Sequence, residues 1–361
     1  MSRRNITLPV LIGLLVLIAA GCSKNLSRST AHRSAIIYPT PPDTARVQFL
    51  TAFSSSENTI GKQTAFSRFI FGESPVRPIK KPYGIAIHSG KIYICDSGLG
   101  LLEVIDLRKN TFEYFDPQGE GKLKLPLNCF VDKDGKLYIA DGLRMQVVIF
   151  DADGKYLSAF GEAEKYKPTD VFVTDDKIWV ANIKNNKIHV YSKATNQLLY
   201  TFPQSEQGQP DFLYSPANLY VTSDKVYVSD IGDFKIKIYD HNGKFISAVG
   251  SNGTNAGQFV RPKGIAVDKE ENLFVVDAGF ENTQIFNKDG KILMFFGGPY
   301  KGPGDMWLPA KVIIDYDNLE LFEKYVDPAY KLNYLVFVSN QFGPDKINVY
   351  ASIRQKEKPL K

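Results

Sequence analysis

Six times along the chain a proline opens an apolar run, a tight polar turn follows, and a second run ends on Asp or Asn. The prolines are Pro82, Pro126, Pro168, Pro216, Pro262 and Pro309, spaced by 44, 42, 48, 46 and 47 residues. The second runs close on Asp96, Asp141, Asn182, Asp230, Asp277 and Asn340. Third runs follow (EVID, VVIF, KIHVY, KIKIY, TQIF, KINVY), then fourth runs such as KYLSAF, QLLYTF, KFISAV and KILMFF, with TFEYF as an altered form. These runs are β-branched and aromatic and are bounded by Gly, Asp and Asn, as strands are. Four short strands repeated with a period in the forties predict an all-β chain folded as a six-bladed β-propeller.

The sixth unit has no fourth run after Tyr350, and Arg46–Phe53 (RVQFLTAF) matches KYLSAF and KFISAV. This N-terminal segment is expected to complete the last blade, so that no inner blade edge stays open. The propeller is therefore expected over 46–352, followed by a basic tail at 353–361. Two segments depart from the repeat. Between Phe53 and Pro82, Phe66, Phe69 and Ile70 fall at helical spacing. Within Asp317–Asn333, Leu319, Phe322, Tyr325 and Val326 share one helical face, with Asn318 placed to cap it. Two short helical insertions are expected, either plugging the propeller floor or offering a docking surface to a partner protein.

Gly250-Ser-Asn-Gly253, Gly257-Gln-Phe259, Pro262-Lys-Gly-Ile-Ala-Val-Asp268 and Leu273-Phe-Val-Val-Asp277 resemble an NHL repeat. The resemblance runs over about 45–352 and is best in unit five, whereas units three and six carry Asn182 and Asn340 in place of Asp. It implies a six-bladed propeller, a fold that hosts binders, scaffolds and some enzymes. The amidating lyases among NHL propellers need metal-binding histidines near the channel. Here His32, His88, His189 and His241 are scattered without ligand spacing. Lactonase-type propellers hold a divalent cation with Asn and Asp directly after the strand-opening proline. That slot holds Tyr83, Leu127, Thr169, Ala217, Lys263 and Ala310, with no carboxylate. No cofactor, metal site or catalytic residue is expected.

The N-terminus carries a second signal. Met1–Asn5 is basic, Ile6–Ala20 is apolar except for Thr7, and Gly21-Cys22 follows. The apolar run is short for a membrane span and has the shape of a secretory signal. Its end resembles a lipobox, with Ala19 where Leu would match best. Residues 1–21 are expected to be a lipoprotein signal peptide, cleaved between Gly21 and Cys22, with Cys22 acylated. Residues 22–45 read as a polar, proline-containing tether. Ser23 stands where an inner-membrane retention signal usually places Asp, which favours the outer membrane of a bacterial envelope.

The chain carries +5, and loss of residues 1–21 removes Arg3 and Arg4 and no acid, which leaves +3. No basic stripe stands out, so nucleic acid is not an expected partner. Cys95 and Cys129 take slots that are small or apolar in other units, which suits buried free thiols, with a disulfide between these strands of neighbouring blades as the alternative. The repeated Asp or Asn suits Asx turns, which accept local backbone N–H groups.

Two residues after each proline stand Gly84, Asn128, Asp170, Asn218, Gly264 and Lys311. First strands line a propeller's axis, so these positions share one end of the channel. Asn128, Asp170, Asn218 and Lys311 there either hold a small polar ligand, an ion or a partner loop, or neutralise one another around trapped water. The expected function is that of a monomeric, exported, lipid-anchored, non-catalytic binding or assembly module whose partner is another envelope protein. The alternative is a lactonase-like hydrolase or a lyase acting at the channel mouth.

Overall fold

Pairing of each proline with the residue that closes the next strand sets the register of every blade. Pro82 pairs with Asp96, Pro126 with Asp141, Pro168 with Asn182, Pro216 with Asp230, Pro262 with Asp277 and Pro309 with Asn340. The computed structural model describes residues 35–60, 75–161 and 165–356. Blade one is the antiparallel sheet Pro82–His88, Lys91–Asp96, Leu101–Asp106 and Thr111–Phe115. Blades two to five repeat it, with first strands Pro126–Val131, Pro168–Val173, Pro216–Val221 and Pro262–Val267. Blade six begins at Pro309–Asp315 and continues through Tyr330–Asn340 and Ile347–Gln355. Val47–Phe53 then supplies its fourth strand, pairing Val47 with Ser352 and Phe53 with Ile347. The molecule is a six-bladed propeller closed by its N-terminal strand.

The closing residues hold this arrangement from inside. The Asp96 carboxylate accepts the backbone N–H groups of Gly98 and Leu99 in the turn it opens. It also accepts those of Lys80 and Lys81, which lead into the blade. Asp277 does the same with Gly279 and Phe280 on one side and Val260 and Arg261 on the other. The recurring carboxylate thus clamps the incoming segment as well as the turn, which accounts for its presence without any ligand. Apolar side chains fill the spaces between blades. One cluster joins Phe53, Phe337 and Ile347 of blade six to Ile85, Ile94 and Ile105 of blade one.

Both expected domain boundaries shift. Ile37–Tyr38 forms a fifth strand on blade six, pairing with Gln48 and Val47. The Tyr38 hydroxyl donates to Gly304 O at 2.9 Å, and its ring meets Phe296 and Tyr350. The segment expected to be tether is therefore docked from Ile37. At the other end the last strand runs to Gln355, and buried Ile353 donates its N–H to Arg46 O. Pairing of Ile353, Arg354 and Gln355 with Leu332, Lys331 and Tyr330 holds what was expected to be the start of the basic tail.

The insertions also differ from expectation. A five-residue helix, Ser56–Ile60, follows the closing strand, whereas Phe66, Phe69 and Ile70 lie outside the described residues. In blade six the expected single helix is two 3-10 turns, Leu319–Leu321 and Glu323–Tyr325. Asn318 caps neither of them, because its amide is spent on the Asp315 carboxylate at 3.0–3.1 Å. Phe322 is 2% exposed and packs edge-on to Phe53 and Phe337, and Leu319 rests on the same cluster. Of the described residues expected to dock, Tyr325 alone is exposed.

Candidate functional site: the propeller axis

The first strands bring the four polar residues together, as their position predicts, but bury them. Asn128, Asp170 and Asn218 are fully buried and Lys311 nearly so. The ladder of each blade breaks just after its proline, which turns these positions toward the axis. Lys311 Nζ lies 2.5 Å from Asp170 Oδ2 and 3.4 Å from Asn218 Oδ1. Asp170 also accepts the N–H of Leu219 and of Val171, each at 3.0 Å. Asn128 Nδ2 donates to Thr169 O at 2.7 Å. Burial raises the Asp170 carboxyl above its ordinary range, and the Lys311 ammonium opposes that rise. These groups form a plug across the channel.

Gly84 and Gly264 complete the plug by backbone contact. A Cβ on Gly84 would sit 2.4 Å from Asn128 Cα, and one on Gly264 would sit 2.5 Å from Lys311 Cα. The strands approach so closely that neither position has room for a side chain.

On one side of the plug is an apolar pocket of about 290 Å³, lined by Ile87, Val131, Phe172, Tyr220, Ile265 and Ile314 among others. Lys311 also lines it. Phe172 stands between Phe130 and Tyr220, with ring centres 4.7 and 5.1 Å away. Apolar walls over a few polar groups are the usual make-up of a small-ligand pocket. The lining residues follow the plug position in each first strand, so the pocket lies toward the turns between first and second strands.

The opposite side, where the prolines lie, is cationic. Lys263 stands one residue after Pro262 with its ammonium 5.1 Å from the centre of the Tyr83 ring. Arg261 and Lys81 precede the prolines of blades five and one. Burial first, then Arg261 and Lys81, push the Lys263 amine down to about 7. Sequence reasoning placed Lys263 and Tyr83 in the after-proline slot but saw only the lack of a carboxylate there. The signal available was three cations at the mouth-facing positions of two blades separated only by blade six.

A larger groove of about 900 Å³ runs outside blades five and six, where Arg46, Lys269, Lys331 and Arg354 meet Leu293 and Tyr334. The described histidines do not converge, and His32 lies outside the described residues. His189 is buried against Asn182, Asn185 and Tyr191 and pushed down to about 4 by burial. His241 bonds Thr222 O. Cys95 and Cys129 are buried free thiols, and no group of three or more His, Cys, Asp or Glu among the described residues has metal-binding geometry. Cys22 and Gly21 lie outside the described residues.

A family model described as a 6-bladed beta-propeller matches residues 207–282. Over 94 residues the chain is 27% identical to Protein brain tumor of Drosophila melanogaster, a match covering 26% of this chain and 9% of that protein. The chain thus spans a small part of the length of that relative. Among solved structures, a structural genomics protein of unknown function from Bacteroides thetaiotaomicron is similar, with a TM-score of 0.58 and 14% identity over 86% of this chain and 76% of that one. A streptogramin B lyase superposes with a TM-score of 0.52 at 15% identity, over 78% of this chain and 85% of that one. A catalytically inactive virginiamycin B lyase from Staphylococcus aureus, in complex with quinupristin, gives 0.52 at 13% identity over 76% and 95%. At these identities the likeness concerns the fold alone. The chain is a six-bladed β-propeller.

Proposed function

We propose that the chain is a lipid-anchored propeller of the bacterial cell envelope that binds its partner without transforming it, and that the axial pocket receives an apolar group of that partner. The observation that carries this reading is the plug. Its acid and its base are spent on each other at 2.5 Å, and the pocket above them is walled by aliphatic and aromatic side chains. Such a pocket gains affinity by taking apolar surface out of water, about 25 cal/mol per Å². An uncharged naphthylamine probe is expected to fluoresce on binding the purified protein, and Val131→Arg, at the pocket wall, to abolish the signal. Equal fluorescence from both proteins would overturn the pocket assignment.

The anchor rests on the basic start, the apolar run and Gly21-Cys22. Cys22→Ala is expected to leave the precursor unprocessed or to release the protein from outer-membrane fractions. Unchanged size and fractionation would overturn it. The second reading, a lyase or hydrolase at the axis, draws on the shared fold with streptogramin-type lyases. Chromatography of quinupristin incubated with the protein is expected to show unchanged substrate. Protein-dependent conversion that is lost in Asp170→Asn would establish the enzyme reading instead.

A further inference from the structure

The proline-side mouth holds a buried cation that the described residues leave without a counter-charge. Lys263 is 2% exposed. Among the described residues its ammonium makes no ion pair and donates no hydrogen bond, and its one close partner is the face of Tyr83 at 5.1 Å. The charged groups acting on it are Arg261 and Lys81, both cations. Lys81 places its ammonium 5.5 Å from the Phe342 ring and forms no ion pair among the described residues. The guanidinium of Arg261 is likewise unpaired there, although its backbone N–H is held by Asp277. Asp170, deeper in the axis, is already taken by Lys311.

A lysine so placed beside two further cations holds its proton weakly, and an anion seated against it would restore the charged form. Elsewhere this fold pairs such groups. Lys237, fully buried in blade four, reaches Asp230 at 3.0 Å and Asp233 at 2.8 Å. The contrast marks Lys263 as a group kept for a ligand.

We propose that the proline-side mouth is an oxyanion site, in which a phosphate or carboxylate group seats between Lys263, Arg261 and Lys81, with the ring of Tyr83 beneath the Lys263 ammonium. The guanidinium offers a planar fork of donors and the two ammonium groups offer point charges, a combination suited to a multiply charged oxyanion. Burial raises the Tyr83 phenol to about 12, so the hydroxyl stays protonated beside the Asn218 side chain of the plug. The site lies across the plug from the apolar pocket.

Calorimetric titration of the full-length protein in detergent tests this, with pyrophosphate and citrate as separate probes at ionic strength held constant with sodium chloride. At least one probe is expected to bind one-to-one. Lys263→Met is expected to weaken it at least tenfold, and Arg261→Gln, a more exposed change, to weaken it severalfold. Binding of pyrophosphate alone assigns a phosphate ligand, citrate alone a carboxylate ligand, and both a general oxyanion site. No binding by either probe overturns the proposal, as does wild-type affinity in Arg261→Gln together with either wild-type affinity or failure to fold in Lys263→Met.

Discussion

At the scale of single residues, the axis is governed by close approach. Glycine at Gly84 and Gly264 suggests, in sequence, that the fold needs no side chain there. The structure shows that it tolerates none, because a Cβ would meet backbone atoms at 2.4–2.5 Å. Gly264→Ala is expected to cost about 1–3 kcal/mol through overpacking, read as a lower midpoint in urea denaturation. Burial likewise changes the forecast for the ion pair. An exposed pair would contribute about 0–1 kcal/mol, but Asp170 and Lys311 are buried. Asp170→Ala strands an ammonium and is expected to cost about 3–5 kcal/mol, whereas Asp170→Asn combined with Lys311→Met is expected to be near neutral. Equal losses in the two proteins would show that the axis is hydrated enough to screen the charge.

At the scale of elements, what sequence reveals depends on whether a pattern has one structural solution. Phe49-Leu50-Thr51-Ala52-Phe53 aligns with Tyr156-Leu157-Ser158-Ala159-Phe160, and both strands carry a bulge at the leucine. The outer strands of blades three, four and five bulge at Leu199, Ile246 and Leu293. The recurring bulge blunts the outer edge of five blades, while the outer strand of blade one pairs without it, and its sequence pattern made the closing strand recognisable. Deleting 46–53 uncovers an edge and removes buried Val47 and Phe53. The expected outcome is loss of cooperative thermal unfolding. The 319–326 insertion was less legible, because spacing of three residues serves a 3-10 turn as well as an α-helix. Phe322 N bonds Leu319 O and Val326 N bonds Glu323 O, each a three-residue step. Phe322→Ala is expected to cost about 3–5 kcal/mol, and Tyr325→Ala, at an exposed position, under 0.5 kcal/mol or so. Proteins that melt alike would return this segment to a docking role. Lys263 was hidden for a different reason: the missing counter-charge around it is a property of three dimensions.

Across the whole molecule, one position in the third strand latches five of the six blades to the segment leading into them. Glu103, Val148, His189, Lys237, Gln284 and Asn348 occupy it, each two residues from the closing Asp or Asn across the ladder. Lys237 donates to Phe212 O, Gln284 exchanges bonds with Gly257 N and Gln258 O, and Asn348 donates to Asp305 O. His189 meets the ring of Tyr166 at 5.4 Å, and Val148 shares a cluster with Leu123. Blade one holds Glu103, whose carboxyl oxygens find no hydrogen-bond donor among the described residues. Its neighbour Asp96 is already saturated by backbone N–H groups. Burial, then the charge of Asp96, raise the Glu103 carboxyl to about 10. In the fold it therefore keeps its proton at pH 7, while in the unfolded chain it has lost it. The folded state binds the extra proton from about pH 4.5 to about 10, so this group's contribution to stability falls as pH rises through that window. Lys263 acts in the opposite sense, because the unfolded chain holds the extra proton between about 7 and 10.5. That effect is common to the wild type and a Glu103 variant and cancels between them. Glu103→Gln removes the proton linkage while keeping the shape. The variant is expected to match the wild type near pH 5 and to exceed it by a margin that widens steadily to pH 9, measured as denaturation midpoints across the series. A margin independent of pH would show that Glu103 is ionised in the folded protein and paired with a cation, as Lys237 is with Asp230.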